Sequence, residues 1–120
     1  MKASWALTER AQYVWLYRKG STYIENLIVM KVLPNGLSLS RYGFSVTKKV
    51  GKAVQRNRLK RLLRQIVGSQ LLKSGWDIVF IVRRRAVDSD YQQLEKAVTG
   101  LLSRARLLEG SGETTSAKVN

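Results

Sequence analysis

The 120-residue chain has no cysteine and no histidine. Without thiols it has no disulfide staples, no thiolate chemistry and no Cys/His zinc site. Without imidazole it has no histidine general base. Acidic side chains are also few, 8 Asp and Glu against 22 Lys and Arg, for a formal net charge of +14. Two-metal hydrolytic sites need clustered carboxylates. The acids here are Glu9, Glu25, Asp77, Asp88, Asp90, Glu95, Glu109 and Glu113, and Asp88 and Asp90 are better explained by helix capping. A self-sufficient metal nuclease is therefore disfavoured, and no residue is assigned as catalytic or as a metal ligand. Long hydrophobic runs are missing too. Ile78–Val82 falls far short of the ~20 apolar residues that span a bilayer, and Met1–Ala6 lacks an apolar core of signal-peptide length. The expectation is a soluble cytoplasmic protein with no membrane partner and no small-molecule substrate.

What is present is cationic, and unevenly placed. No acidic side chain stands between Glu25 and Asp77, yet Lys31, Arg41, Lys48, Lys49, Lys52, Arg56, Arg58, Lys60, Arg61, Arg64 and Lys73 all do. That is half of the Lys and Arg with nothing nearby in sequence to neutralise them. A charge of this sign and distribution suits a phosphate backbone, and the bland alternative is a solvated, highly soluble surface.

The densest part, Thr47 to Gln65, is not a disordered basic tail. Leu59, Leu62, Leu63, Ile66 and Val67 fall at i, i+3, i+4, i+7 and i+8, the apolar stripe of a packed helix. On a wheel of about 100° per residue, Arg58, Lys60, Arg61, Arg64 and Asn57 occupy the opposite arc, with Arg56 at the border. Arg offers planar bidentate contacts to phosphate and Lys a point charge. Such a helix either enters a DNA major groove or lies across RNA backbones, because A-form RNA does not admit a helix into its deep groove. Alternatively, Arg56 or Asn57 only ties down the Lys48–Val54 loop.

The remaining pattern predicts an α+β domain of order αββαβα. A first helix over 8–19 has Thr8 as N-cap and Gly20 as stop. Strand 23–32 is followed by a turn at Leu33-Pro34-Asn35-Gly36-Leu37 and by strand 39–46, which reads as a hairpin. In the second strand Tyr42, Phe44 and Val46 alternate with Arg41, Gly43 and Ser45, giving one apolar and one polar face. The basic helix runs from about Ala53 to Leu72. Trp76–Val82 is apolar without alternation, as in a central strand buried on both faces. Arg83-Arg84-Arg85 follows, then a last helix capped by Asp88, Ser89 or Asp90, with Ser89 and Gln92 fitting a capping box. Residues 1–109 are expected to form one domain and 110–120 a disordered tail. Strand 39–46, the basic helix and strand 76–82 make a βαβ unit if parallel, for which the general rule gives a right-handed crossover.

Tyr13 and Tyr17 lie one helical turn apart, on one face of the first helix. Beside a sheet bearing Arg41 and Ser45 they either form a stacking platform for single-stranded nucleic acid or simply pack the helix on the sheet.

The segment from Phe44 to Arg64 closely resembles the signature of the bacterial ribonuclease P protein family: a strand, Thr47-Lys48-Lys49, Gly51, Ala53-Val54, Arg56-Asn57-Arg58-Leu59-Lys60-Arg61, and Arg64 a turn later. The layout of residues 7–108 is similar as well, from the aromatic first helix ending in Arg18-Lys19-Gly20 to the strand and basic cluster before the last helix. The resemblance implies a small RNA-binding partner of a catalytic RNA that removes 5′ leaders from precursor tRNA. The RNA, with bound Mg²⁺, would perform the hydrolysis, and the protein would hold no catalytic residue. It further implies that Lys48, Lys49, Lys52, Arg56, Asn57, Arg58, Lys60, Arg61 and Arg64 face ribonuclease P RNA. Tyr13, Tyr17, Arg41, Ser45 and Arg84 would line a cleft for the leader. A left-handed βαβ crossover, similar to domain IV of elongation factor G, is implied in place of the right-handed one. The chain departs from the family pattern in a shorter, less basic N-terminal arm, in Gln12 where an acid is common, and in Tyr rather than Phe at both cleft positions. A general RNA- or DNA-binding module is the competing reading.

Overall fold

The computed structural model describes residues 6–7 and 9–109. The element order is α1 (Arg10–Lys19), β1 (Ser21–Ile24), β2 (Ile28–Pro34), β3 (Arg41–Ser45), α2 (Ala53–Gly68), β4 (Trp76–Val82), a 3₁₀ turn (Arg84–Ala86) and α3 (Tyr91–Arg104). The α+β class is as expected. Thr8 and the segment 110–120, for which a cap and a tail are expected, lie outside the described residues; Glu9 holds the N-cap position of α1, its N–H donating to Gln12 Oε1 at 3.1 Å.

β4 takes the centre of the mixed sheet because both of its faces are apolar. The strand order is β1-β2-β4-β3. Ile78 and Phe80 are fully buried with Ile28, Met30 and the apolar residues of α2 and α3, while Val79 is buried with Leu7 and Leu16 on the other face. The molecule is thus three layers, α1 on one side of the sheet and α2 with α3 on the other.

Two strand assignments need correction. The single strand expected over 23–32 is two antiparallel strands, Tyr23 pairing with Met30. Glu25 breaks the run: its carboxylate accepts the Leu27 N–H at 2.8 Å and its own N–H donates to Ile28 O at 2.9 Å, closing a tight turn. The hairpin expected between 23–32 and 39–46 does not form. β2 and β3 each pair with β4 instead, antiparallel (Met30↔Phe80) and parallel (Phe44↔Phe80) respectively. A doubly apolar strand buries more surface between two partners than at an edge, and the Pro34–Ser40 connection is long enough to let β4 in.

The βαβ unit is present as β3–α2–β4 with parallel strands. α2 ends at Gly68 rather than near Leu72, because Leu72 bridges to Leu108 instead. Its apolar stripe packs as expected, with Leu59, Leu63, Ile66 and Val67 buried and Leu62 partly so. Fully burying a side chain of this kind stabilises by about 1.5–3 kcal/mol, which anchors the cationic arc rigidly. The last helix is capped one residue later than Ser89. Asp90 Oδ1 accepts the Gln93 N–H at 2.9 Å and Gln93 Oε1 accepts the Asp90 N–H at 3.0 Å. The expected Ser89–Gln92 capping box is thus replaced by Asp90 with Gln93.

Candidate nucleic-acid interface

Parallel pairing sends β3 and β4 out of the sheet at the same end. There β3 leads into Thr47–Lys52 and the N-terminus of α2, and β4 leads into Arg83–Arg85. Lys48, Lys49 and Lys52 are exposed in that loop. The loop is closed by Val50 N–H on Thr47 O at 3.0 Å and by Lys52 N–H on Gln55 Oε1 at 2.8 Å. Gly51 permits this closure: a Cβ there would stand 2.5 Å from Gln55 Oε1 and 3.1 Å from Val87 Cγ2. Arg84 Nε donates to Lys49 O at 3.3 Å. Gln55 and Arg84, rather than Arg56 or Asn57, tie the loop down.

Along α2, Asn57, Arg61 and Arg64 are exposed and Lys60 partly so. Arg58 Nη2 donates to Ser89 O at 2.7 Å, which fixes the guanidinium between α2 and the start of α3. Arg56 Nε is buried with no hydrogen-bond partner. The first turn of α2 holds no acid, so Lys52 and Arg56 stand at the positive end of the helix dipole, where cations are disfavoured and an anion is favoured. Among the described residues the one ion pair is Arg41–Asp77; no cation of the loop or of α2 has a carboxylate partner.

The second surface lies on the α1 face of the sheet. Tyr13 is half-buried against Leu7, Leu16 and Val79, and its hydroxyl donates to Leu7 O at 3.1 Å. Burial, and then the neighbouring Tyr17, push its phenol pKa above the ordinary value. Tyr13 is therefore a packing residue. Tyr17 shares its face but remains 39% exposed. Ser45 is half-buried at the end of β3, where this face meets the cationic loop. Arg41 is committed to Asp77, with Nε to Oδ1 at 2.9 Å and Nη2 to Oδ2 at 2.8 Å; the Asp77 hydrogen bonds raise its pKa further. Asn35 Nδ2 completes the carboxylate at 2.9 Å. Arg84, grouped with the cleft by resemblance, reaches the basic loop through its bond to Lys49 O.

Two features escaped the sequence reading. Arg41 faces Asp77 across the parallel β3/β4 pair, a register that depends on β4 displacing the expected hairpin; the one signal was a lone acid opening an apolar strand. Arg83, Arg85 and Arg104 converge on the β1–β2 turn, donating to Glu25 O, Asn26 Oδ1 and Ile24 O. Among the described residues no three Asp, Glu, His or Cys side chains gather as metal ligands, and no helix is long and apolar enough to cross a membrane.

Fold and surface together define a class: a small α+β domain whose rigid helix and adjoining loop present unneutralised cations suited to a polyanion. The Ribonuclease P family model matches residues 1–106, and the chain belongs to that family. It is 48% identical, over the full length of both chains, to a Ribonuclease P protein component from Dehalococcoides mccartyi. Over 113 residues, 92% of this chain and 99% of the relative, it is 35% identical to that of Alkaliphilus oremlandii. The RNase P protein of Staphylococcus aureus superposes with a TM-score of 0.80 at 27% identity, over 89% of this chain and all of the other. That of Thermotoga maritima gives 0.76 at 30%, over 82% and 96%.

Proposed function

We propose that this chain acts in the bacterial cytoplasm as the protein subunit of a ribonuclease P holoenzyme, binding ribonuclease P RNA and the 5′ leader of precursor tRNA while the RNA performs the hydrolysis. The observation that carries the reading is the row of unpaired cations on a helix whose other face is locked in the core. Lys48, Lys49, Lys52, Arg56, Asn57, Arg58, Lys60, Arg61 and Arg64 lie against RNA phosphates in this reading. The fixed helix lets several contacts form without ordering each side chain's backbone anew. The open α2 N-terminus beside Lys52 and Arg56 takes one phosphate.

The leader runs over Tyr17, which stacks a base, while Tyr13 holds α1 at the right height above the sheet. Ser45 offers a hydroxyl at the mouth, Arg84 meets the leader where it passes the basic loop, and Arg41 turns its spare Nη1 donors to a phosphate. Mg²⁺ belongs to the RNA in this reading. When bound there it would supply charge neutralisation and an activated water, and the residues of this chain add cations around it.

The test is precursor-tRNA cleavage at low Mg²⁺ with the RNA alone, the protein alone and both. Cleavage to the mature 5′ end in the mixture, well above RNA alone and absent with protein alone, is expected. Cleavage by protein alone, or no stimulation of a cognate RNA, refutes the reading. Equal affinity for duplex DNA, unrelated RNA and ribonuclease P RNA would assign a general nucleic-acid-binding module.

A further inference from the structure

α1 carries apolar side chains on two faces, and only one of them is packed. Tyr13 and Leu16 meet the sheet. Trp15 lies about 160° round the helix from Tyr13 and is 55% exposed, with Val14 beside it at 45%. Ala11 and Arg18 continue the same stripe at i−4 and i+3 from Trp15, both exposed. Lys19 Nζ lies 5.6 Å from the Trp15 ring centroid. A single exposed apolar residue needs no explanation, but a large aromatic flanked by Arg18 and Lys19 combines a flat π-face with phosphate-binding cations. That is the pairing that single-stranded nucleic acid requires. A second copy of the chain fits poorly, since apposed outer faces of α1 would bring Arg18 and Lys19 against their own copies.

We propose that Trp15 is a second stacking site, which takes an unpaired RNA base on the outer face of α1 while Arg18 and Lys19 hold the flanking phosphates. The site is separate from the Tyr17 cleft on the opposite face, and it rests on the RNA-binding reading given above.

The test uses the full chain as wild type, Trp15→Ala, Trp15→Phe, Tyr17→Ala and the double variant Arg61→Ala/Arg64→Ala. Each is titrated with a short oligouridylate and with ribonuclease P RNA. Oligouridylate should quench tryptophan emission of the wild type and of Tyr17→Ala, and the quench should vanish in Trp15→Phe. Trp15→Ala should weaken binding about 5- to 100-fold, the range for one lost base stack. Trp15→Phe should keep most of the affinity, and thermal melting should stay unchanged in both. Unaltered affinity in Trp15→Ala with the quench intact in Trp15→Phe overturns the proposal. So does a concentration-dependent dimer that Trp15→Ala abolishes, which would make this face a protein interface. If Arg61→Ala/Arg64→Ala also binds ribonuclease P RNA like wild type, the α2 reading fails as well; if it alone weakens, only the Trp15 site does.

Discussion

The Tyr13 hydroxyl occupies the space that a side chain on Gly43 would fill. A Cβ at Gly43 would fall on that hydroxyl and come within 3.3 Å of Leu7 Cβ. The missing side chain on β3 thus sets how closely α1 approaches the sheet. Gly43→Ala should push Tyr13 and α1 outward and destabilise the fold by about 1–3 kcal/mol, the usual range for overpacking. Urea denaturation measures this, and an unchanged midpoint would show that α1 can shift freely.

Tyr17→Ala should separate recognition from stability. The ring is exposed and Tyr13 carries the packing, so the melting temperature should move little. Affinity for precursor tRNA should fall about 5- to 100-fold, with no loss for mature tRNA lacking a leader. Equal losses for both RNAs would place Tyr17 outside the leader path.

Removing Arg61 and Arg64 together should flatten the salt dependence of binding to ribonuclease P RNA. Each lost phosphate contact reduces the slope of log K against log salt by about 0.7–0.9. The cleavage defect should be largest at limiting Mg²⁺ and shrink at high Mg²⁺, where bound metal replaces the missing cations. A defect independent of Mg²⁺ would argue against charge neutralisation as their role.

Alkaline pH should loosen the fold through its phenols. Burial raises the pKa of Tyr13 and of Tyr42 in the folded chain, so the folded state holds these protons more tightly than the unfolded one. The resulting stability is complete below the ordinary phenol value of about 10 and is lost as pH climbs through the folded values. Tyr13→Phe should cost about 0.5–1.5 kcal/mol at neutral pH for the bond to Leu7 O and blunt the alkaline decline. Chemical denaturation across pH 8–11 gives both.

Local periodicity exposed most of this architecture in the sequence, and long-range pairing hid the rest. The stripe from Leu59 to Val67 and the doubly apolar Trp76–Val82 located α2 and the central strand, because each pattern records its own burial. The partner of β2 lies across the whole of α2 in sequence, which no local signal reports, so the adjacent strands 23–32 and 39–46 appeared to form a hairpin. The same gap concealed the Arg41–Asp77 pair and left Arg41 looking like a free cation. In the candidate site, exposure divided residues that the pattern treated alike. Tyr13 and Tyr17 share a face, yet Tyr13 is half-buried with its hydroxyl on Leu7 O while Tyr17 stays exposed.

β4 lies at the middle of the sheet but is the last of its strands to be synthesised. Until residues 76–82 leave the ribosome, the inner edges of β2 and β3 have no partner, and the apolar face of α2 has only part of its floor. Closing the sheet requires contacts far apart in sequence, which slows folding and leaves open strand edges in the meantime. Residues 1–75 carry 15 Lys and Arg against 2 Asp and Glu, and that excess bears on the interval: mutual repulsion keeps half-made chains apart while they wait for their centre.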